Sequence, residues 1–410
     1  MPAQRVLVTG LGPLCSLGQD RESFWENLAA GRSFVAPVER LKNAPVNIGA
    51  AVKELKNARL LSPKERRLDR SAQFAILAAR EALDDAGLLD GEGRFLGLGG
   101  VIVGSSRGPC SLWDDCHRSF LRNPRGRVSP AASPLTTPGN LAGAVSRRFG
   151  LRGPSIMVST ACASGSHAIG LAFQMIRAGM AEAMVAGGTE AALNPFEIAM
   201  FAAAGILAVS TPAPRPFDRD RDGTVIGEGA GMIVLESELH WKARRAHGGS
   251  PYCELAGFGA SSDALSLAAV PPDGEGLARA IGLCLEDARL DPGDVGYVNA
   301  HGTGTRAGDW AETRALKSAL GAHAHDTAIS STKSMTGHLL GAAGGVEAVV
   351  CALSLARGVI PPTIHLDAPG EGCDLDYVPG KARPSALRTA LSTSMGFGGT
   401  NACLAFRRAL

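Results

Sequence analysis

The sequence predicts an α/β fold made of two similar halves. Short runs of apolar and β-branched residues alternate with longer alanine-rich runs along the 410 residues, and such alternation is typical of helices packed on the faces of a sheet. The segment 83–88 (LDDAGL) agrees with 285–290 (LEDARL) at four of six positions, 202 residues further on. That distance is close to half the chain and indicates duplication of one α/β unit. Two such halves would meet in a central layer and bring equivalent loops to one side.

Each predicted element has a local reason. The strands are short runs rich in Val, Ile and Leu, and the helices are longer runs in which alanine and leucine recur at helical spacing. The first half gives strands at 6–8, 100–103, 183–186 and 232–235 and helices at 71–86 and 163–178. The second half gives helices at 276–288, 309–320 and 341–356 and strands at 295–298 and 329–330.

Two segments interrupt this alternation. Residues 109–138 are rich in Arg, Ser and Pro, and residues 210–223 contain three prolines and several charges. Both segments are predicted to leave the core. They are candidates for dimer contacts, for walls of a substrate channel, or for plain surface loops.

Composition and charge disfavour several classes of function. The chain has 41 basic and 39 acidic residues, a net charge of +2, so its overall charge favours neither a nucleic-acid nor a membrane partner. Nine scattered cysteines without a C-x-x-C pair argue against a disulfide framework and a zinc site. The amino end lacks the features of a signal peptide. The longest uncharged apolar run, 198–209, is shorter than the roughly 18 residues that span a bilayer, and we expect a cytoplasmic protein.

Nucleotide binding is not indicated either. The glycines of 10–15 (GLGPLC) follow a strand as in a dinucleotide fingerprint, but Pro13 interrupts the turn and Cys15 takes the place of the last glycine. The chain contains no G-K-[ST] sequence of a phosphate-binding loop.

Cys162 is the candidate nucleophile. It lies in 159–165 (STACASG), between the strand-like residues 155–158 and a long apolar stretch that is predicted as a helix. A thiol at a helix N-terminus meets free backbone N–H groups and the positive end of the helix dipole, which favour the thiolate. Its small neighbours would let a carbonyl group approach closely. The alternative is a buried structural cysteine.

Two histidines occur in similar settings. His301 follows a predicted strand in 299–305 (NAHGTGT), and His338 ends 333–338 (KSMTGH) before a glycine-rich run. Neutral imidazoles there would hold a carbonyl oxygen through their N–H groups while the thiol accepts an acyl group. Each histidine alone would more often be structural. A metal site is the alternative use of one cysteine and two histidines, although these residues do not have the close spacing in sequence of known metal ligands.

A glycine-rich loop lies near the C-terminus. The segment 394–401 (SMGFGGTN) places three glycines around Phe397, which permits unusual backbone angles and exposes N–H groups. A donor from this loop, with the N–H of Cys162, would bind a developing oxyanion, and Phe397 would gate the acyl site. A tight turn into the last strand is the alternative, and both can hold.

Together these motifs resemble those of the beta-ketoacyl-acyl-carrier-protein synthases, in their elongating Cys-His-His branch. The segments 216–223 (PFDRDRDG) and 227–231 (GEGAG) add to the resemblance, which covers essentially the whole chain in order. The family implies a thiolase-like fold, with two duplicated α/β halves in a layered α-β-α-β-α core. We therefore expect an N-terminal half over 1–250 with the nucleophilic cysteine and a C-terminal half over 251–410 with the two histidines.

The resemblance also implies an activity. It is the decarboxylative Claisen condensation of a Cys-bound acyl group with malonyl-carrier protein, which gives a beta-ketoacyl-carrier protein. The implied partners are an acyl carrier protein and its acyl and malonyl thioesters, carried on phosphopantetheine. No metal and no redox cofactor is implied. The resemblance does imply a dimer, either a homodimer or a heterodimer with a related subunit.

The same resemblance gives roles to individual residues. Cys162 would be acylated, His301 and His338 would bind the malonyl carbonyl and promote decarboxylation, and Lys333 would tune the electrostatics. The backbone N–H groups of Cys162 and Phe397 would form the oxyanion hole, and the Phe397 side chain would act as the gate. Thr303 and Thr305 would bind the pantetheine arm, and Asp309 and Glu312 would have a structural or polarising role. Lys64, Arg66 and Arg67 would dock the carrier protein.

Two positions depart from the family's pattern. Arg107 stands beside the implied acyl pocket, where relatives have a small or apolar residue, and an unpaired arginine would be costly against a long alkyl chain. Gly205 stands where relatives often carry a carrier-docking arginine. We therefore expect type II polyketide or other secondary-metabolite synthesis, with short, polar, aromatic or polyene acyl groups, rather than fatty-acid synthesis.

Two other functions are weighed against condensation. Acyl transfer to an amine, an alcohol or coenzyme A would keep the acyl-cysteine, but the presence of both His301 and His338 disfavours it. A non-catalytic partner that sets chain length would typically lack the nucleophile, so Cys162 disfavours that function.

Overall fold

The computed structural model describes residues 4–123, 125–126, 128–211, 213–244 and 249–409. Its strands are β1 (Val6–Cys15), β2 (Ala36–Pro37), β3 (Ile48–Gly49), β4 (Gly99–Gly104), β5 (Ser155–Val158), β6 (Ala183–Glu190), β7 (Gly229–Ser237), β8 (Cys253–Ser262), β9 (Tyr297–Asn299), β10 (Ala328–Ser330), β11 (Val359–Ile360), β12 (Arg383–Pro384), β13 (Thr389–Gly396) and β14 (Thr400–Arg408). Its helices are α1 (Arg21–Ala29), α2 (Arg70–Ala86), α3 (Cys110–Arg122), α4 (Ala132–Thr136), α5 (Asn140–Phe149), α6 (Ser164–Arg177), α7 (Pro195–Ala203), α8 (Glu238–Arg244), α9 (Glu275–Ala288), α10 (Arg306–Leu320), α11 (Lys333–Thr336) and α12 (Ala343–Arg357).

Within the described ranges, ten strands form one sheet whose order repeats. From one edge the first half runs β5-β4-β6-β7-β1, and from the other edge the second half runs β10-β9-β13-β14-β8. When only the five strands that each half gives to this sheet are counted along the chain, the edge strand is the third in both halves, and the second, fourth, fifth and first follow it across the sheet. Parallel and antiparallel pairs also match. The halves join where β1 pairs with β8 at Val6, Leu7 and Val8.

The helices complete five layers. On one side α2 contacts β1, β6 and β7, and α5 contacts β4 and β5. On the other side α9 contacts β8 and β14 and packs against α10. Between the two half-sheets lie α6 and α12, each of which contacts strands of both halves. This arrangement confirms the predicted α-β-α-β-α core of two duplicated halves.

The repeated segments occupy equivalent places. Residues 83–88 lie at the end of α2 and residues 285–290 at the end of α9, and each helix packs against the first strand of its half. Gly87 and Arg289, at matching positions, both terminate their helix in the left-handed conformation, with φ of 66° and 52°. Glycine takes this conformation without steric cost, whereas arginine does not. The local echo in the sequence therefore marks the same helix end in each half.

The central helix α12 is buried on nearly every side, and Glu347 is its one buried acidic residue. The stretch Leu340–Arg357 is long and apolar enough to cross a membrane by length and composition, with a mean hydropathy of 1.4, but 89% of it is buried inside the protein. A helix that is hydrophobic all round lies in a core or in a membrane. Here the side chains of α12 pack against both half-sheets.

The predicted elements are found, and the differences lie at their ends. β1 continues to Cys15, and Pro13 pairs with Gly231 of β7, so the glycines of 10–15 belong to a buried strand. The helix predicted from residue 341 begins at Ala343, after a 3-10 turn at Leu340–Ala342.

The described residues of 109–138 include α3 and α4, neither of which has a buried residue, so this part of the chain leaves the core as predicted. The prediction that 210–223 leaves the core is wrong for the second part of the segment. Phe217 packs in the core of the second half, and Asp218 and Arg221 are buried. The carboxylate of Asp218 accepts from the backbone N–H groups of Asp367 and Ala368, which holds the segment against the protein.

Candidate active site

Four equivalent loops form the site. They follow the second and third strands of each half: 105–107 after β4, 159–163 after β5, 300–305 after β9 and 331–338 after β10. Residues of all four line one cavity of about 660 Å³. Because the two halves have the same topology and face each other, loops that are far apart in sequence meet at one place.

Cys162 lies in a constrained turn between β5 and α6. The preceding Ala161 has a φ of 50°, which is uncommon for a residue with a side chain. The hydroxyl of Ser164 accepts from the N–H of Thr160 at 2.9 Å and donates to the carbonyl of Ala161 at 2.6 Å. Such strain at a turn is typical of functional positions. The turn places Cys162 in the lining of the cavity.

The hairpin between β13 and β14 approaches this turn closely. A Cβ at Gly396 would lie 2.7 Å from the Thr160 carbonyl oxygen and 3.2 Å from the Cys162 nitrogen, so only glycine fits there. The Thr400 hydroxyl also donates to the Thr160 carbonyl at 3.0 Å. The backbone N–H of Phe397 is near enough to the Cys162 thiol to lower its pKa, and the Phe397 ring, 40% exposed, lines the cavity.

Burial changes the expected chemistry of the thiol. It raises the pKa of Cys162 to about 12, while Lys333 and the Phe397 N–H lower that pKa and the buried Glu190 raises it. The prediction that the helix N-terminus favours a thiolate at rest is therefore wrong. Removal of the thiol from water outweighs the nearby positive charge, and Cys162 is protonated at neutral pH.

His301 is fixed by a buried carboxylate. Glu312 of α10 accepts from the backbone N–H of His301 and of Gly302, both at 2.7 Å, and from the Thr393 hydroxyl at 2.7 Å. Asp309, one turn earlier, accepts from the N–H of Gly304 at 3.1 Å. Both carboxylates therefore hold the loop that carries His301.

His338 has a defined tautomer. The N–H of Leu340 donates to its Nδ1 at 3.4 Å, so Nε2 carries the proton of the neutral ring. The rings of His301 and His338 lie 5.3 Å apart at 88°. Burial and then the charge of Lys333 hold the pKa of both imidazoles well below its usual range. Both rings are neutral at pH 7 and have an N–H to donate.

Lys333 lies behind the imidazoles rather than in the cavity. Its side chain is 1% exposed and forms an ion pair with Glu347 of α12, which is 3% exposed. The Glu347 carboxylate offsets part of the cost of burying the Lys333 ammonium group. Sequence reasoning missed Glu347, although a single acidic residue in the apolar stretch 340–356 is a signal of a buried partner.

The other predicted residues separate into two groups. Thr303 and Thr305 line the cavity with their hydroxyl oxygens 3.0 Å apart, and Arg107 lines it from the first half. Lys64, Arg66 and Arg67 are exposed and lie outside the cavity lining, at the 3-10 turn Glu65–Arg67 before α2.

The described part of the chain shows neither a disulfide nor a cluster of metal ligands. Each of the nine cysteines is unpaired. Residues 4–123, 125–126, 128–211, 213–244 and 249–409 contain no group of three or more His, Cys, Asp or Glu side chains that could hold a metal ion.

Fold and site define a thiolase-like enzyme with a Cys-His-His constellation, and the comparisons agree. The N-terminal domain of beta-ketoacyl synthases matches residues 3–240, and the C-terminal domain of beta-ketoacyl synthases matches residues 252–367. The chain therefore belongs to the beta-ketoacyl synthase family. It is a condensing enzyme of the beta-ketoacyl-acyl-carrier-protein synthase type, as the motifs predicted.

Individual relatives resemble the chain over its full length. The 3-oxoacyl-[acyl-carrier-protein] synthase 2 of Vibrio harveyi is 44% identical over 100% of this chain and 99% of the relative. The ishigamide ketosynthase/chain length factor is 31% identical with a TM-score of 0.92 and 100% coverage of both chains. The ketosynthase of a type II polyketide system, solved with its acyl-carrier protein and a bound hexaketide, is 32% identical with a TM-score of 0.88 and the same coverage.

Proposed function

We propose that this enzyme condenses a Cys162-bound acyl group with malonyl-carrier protein, with loss of carbon dioxide, to give a beta-ketoacyl-carrier protein. The observation that carries the proposal is that one cavity receives a thiol from the first half and two neutral imidazoles from the second. The elongating synthases and polyketide ketosynthases among its relatives support the same reaction.

In the first step Cys162 takes the acyl group. Its Sγ attacks the carbonyl carbon of the acyl-carrier thioester, the new S–C bond forms, the bond to the carrier sulfur breaks, and the thiol proton leaves with the carrier thiol. The developing oxyanion accepts from the backbone N–H groups of Cys162 and Phe397. Because burial raises the pKa of Cys162, its proton leaves as the S–C bond forms.

In the second step the carbon–carbon bond forms. The bond between the malonyl α-carbon and its carboxylate breaks, carbon dioxide leaves, and the enolate oxygen accepts from the N–H groups of His301 and His338. The α-carbon then attacks the acyl carbonyl, the bond to Cys162 Sγ breaks, and the thiolate takes a proton from solvent. The Nε2–H tautomer of His338 and the charge of the buried Lys333 both favour the enolate.

The substrates arrive on a carrier protein. Thr303 and Thr305, in the wall of the cavity, would hydrogen-bond to the phosphopantetheine arm, which is part of the substrate, so the enzyme needs no separate cofactor. Lys64, Arg66 and Arg67 would meet the acidic surface of the carrier. Phe397 would move aside to admit each acyl group.

Other features support proposals about the pathway, the cellular compartment and the division of the chain into halves. The charged Arg107 in the cavity wall favours a secondary-metabolite pathway over fatty-acid synthesis, because an arginine is costly against a long alkyl chain. Nine unpaired cysteines suit the reducing cytoplasm. The chain would divide into halves at 1–250 and 251–410, between β7 and β8.

We also infer a dimer with a second copy of the chain. The edge strand β5 is exposed at Ser155 and Ile156, and α3 exposes Trp113 and Phe120. An unpaired strand edge and exposed large apolar side chains are surfaces that native proteins cover. The mass in solution tests the dimer, and co-purification with a related subunit would show a heterodimer instead.

Intact mass spectrometry after incubation with acyl-carrier proteins tests the function. We expect an acyl adduct that Cys162→Ala abolishes and Cys116→Ala, at a half-buried cysteine of α3, retains. Carboxyl-labelled malonyl-carrier protein should then release labelled carbon dioxide with formation of the ketoacyl product. An adduct without carbon dioxide release would show acyl transfer alone. Product formation by a Cys162→Ala protein with a sister subunit would show a non-catalytic partner.

A further inference from the structure

A second cavity lies directly behind the active-site cavity. It measures about 640 Å³ and is lined by residues from α3 and the start of α7, among them Trp113, His117 and Glu197. Ser106 and Arg107 line both cavities. The loop after β4 is therefore the wall between the two spaces.

An ion pair holds that wall in place. Arg107 Nε lies 2.6 Å from Glu197 Oε2, and the two side chains are 35% and 6% exposed. Arg107 Nη2 lies 3.7 Å from the sulfur of Met200, and its Cζ lies 6.0 Å from the centre of the Phe201 ring. The guanidinium is thus held by three neighbouring residues of α7.

The backbone of the wall is fixed as well. The buried carboxylate of Glu190, at the end of β6, accepts from the N–H of Ser106 at 2.7 Å and of Arg107 at 3.2 Å. It also accepts from the N–H of Gly341 at 3.1 Å. The loop that carries Arg107 is therefore anchored through its backbone as well as through the ion pair.

The space before the wall is apolar. Cys162 packs against a cluster that includes Ile198, Phe201, Ile206 and Leu340. An acyl chain on Cys162 would lie among these side chains and meet the guanidinium at its far end. To pass further, it would have to separate Arg107 from a nearly buried carboxylate and leave that charge against hydrocarbon, which is strongly unfavourable.

We propose that the Arg107–Glu197 ion pair closes the inner end of the acyl chamber and restricts the enzyme to short acyl groups. The proposal rests on the proposed function, since it assumes that Cys162 carries the acyl group. Glu197 is then a positioning residue for Arg107, and the second cavity is the space that longer chains would enter once the pair is removed.

The test compares initial rates of Cys162 acylation by butanoyl- and dodecanoyl-carrier protein, read by intact mass. The wild type should strongly prefer butanoyl. In the double variant Arg107→Met, Glu197→Gln the dodecanoyl-to-butanoyl rate ratio should rise about tenfold or more, since a few methylenes in an apolar site are worth at least this factor. Arg107→Lys, which can keep the ion pair, should hold the ratio near the wild-type value.

Matched controls make the outcomes distinct. Arg80→Met, Asp84→Asn removes a solvent-accessible pair on α2 and should leave the ratio unchanged. If the double variant fails to fold, Glu197→Gln alone, which keeps the side-chain shape, must still raise the ratio. Equal acylation rates with both donors in the wild type, or an unchanged rate ratio in a folded variant, would overturn the proposal about the Arg107–Glu197 ion pair but not the proposed function. Absence of any adduct at Cys162 would overturn both the gate and the proposed function.

Discussion

Glu312 offers a sharp test of how the fold positions His301. Its Oε1 accepts from the His301 N–H and the Thr393 hydroxyl, and its Oε2 accepts from the Gly302 N–H. In Glu312→Gln the amide oxygen can serve the first two donors, while the amide NH₂ faces the Gly302 N–H. One buried donor then loses its acceptor, which costs about 1–3 kcal/mol.

We expect Glu312→Gln to lose condensation activity while it keeps acylation activity. The variant should fold with a melting temperature lower by a few degrees, and Cys162 should still be acylated near the wild-type rate, because Glu312 does not touch its turn. Condensation should fall about tenfold to a hundredfold, since small displacements of a positioned group cost this much.

The assay measures both steps on the same protein. Acylation is followed by intact mass, carbon dioxide release by label, and stability by thermal unfolding, with the exposed Glu286→Gln on α9 as the matched control. Wild-type condensation in the variant, or a parallel fall of acylation and condensation, would refute the assignment of Glu312 to the His301 loop.

Three further predictions follow from the site. Lys333→Met removes the charge that lowers the pKa of both imidazoles, so the acid limb of the pH profile of carbon dioxide release should move to higher pH. Breaking the buried ion pair should also lower the free energy of unfolding by about 3–5 kcal/mol. An acid limb that does not move would contradict the electrostatic role of Lys333. Because burial raises the pKa of Cys162 to about 12, its alkylation by iodoacetamide, measured by peptide mass, should rise about tenfold per pH unit from about pH 7 to about pH 9; a plateau in that range would show a lower pKa. Gly396→Ala should slow acylation by about tenfold or more, because its Cβ would clash with the turn of Cys162, and it should do so far more than Gly398→Ala, where nothing lies within 4 Å and only backbone strain at a φ of 82° results.

Much of the site was predictable because its residues come directly after strands. Cys162 and His301 each follow a short apolar run, and the glycines around Phe397 mark a tight hairpin. These are patterns between neighbours in the chain, and their order along the sequence was enough to indicate the family. The repeated helix end at Gly87 and Arg289 indicated the duplication for the same reason.

The electrostatics were not predictable in the same way. Local reasoning placed Cys162 at a helix N-terminus and expected a thiolate, whereas its burial raises its pKa. The depth at which a thiol lies depends on α12 and on the β13–β14 hairpin, which are distant in sequence. Burial is a property of the packed molecule, so its effect on ionisation appears only there.

The sequence by itself indicated the α/β repeat and the family, and it gave Cys162, the two histidines and the glycine-rich loop as candidate site residues. Only the tertiary structure decided that Lys333 pairs with Glu347 and that Arg107 pairs with Glu197 across the wall of two cavities. The physical reason is that a motif depends on adjacent residues, whereas a buried charge is stabilised by whichever partner the packing of helices and strands brings within hydrogen-bonding distance.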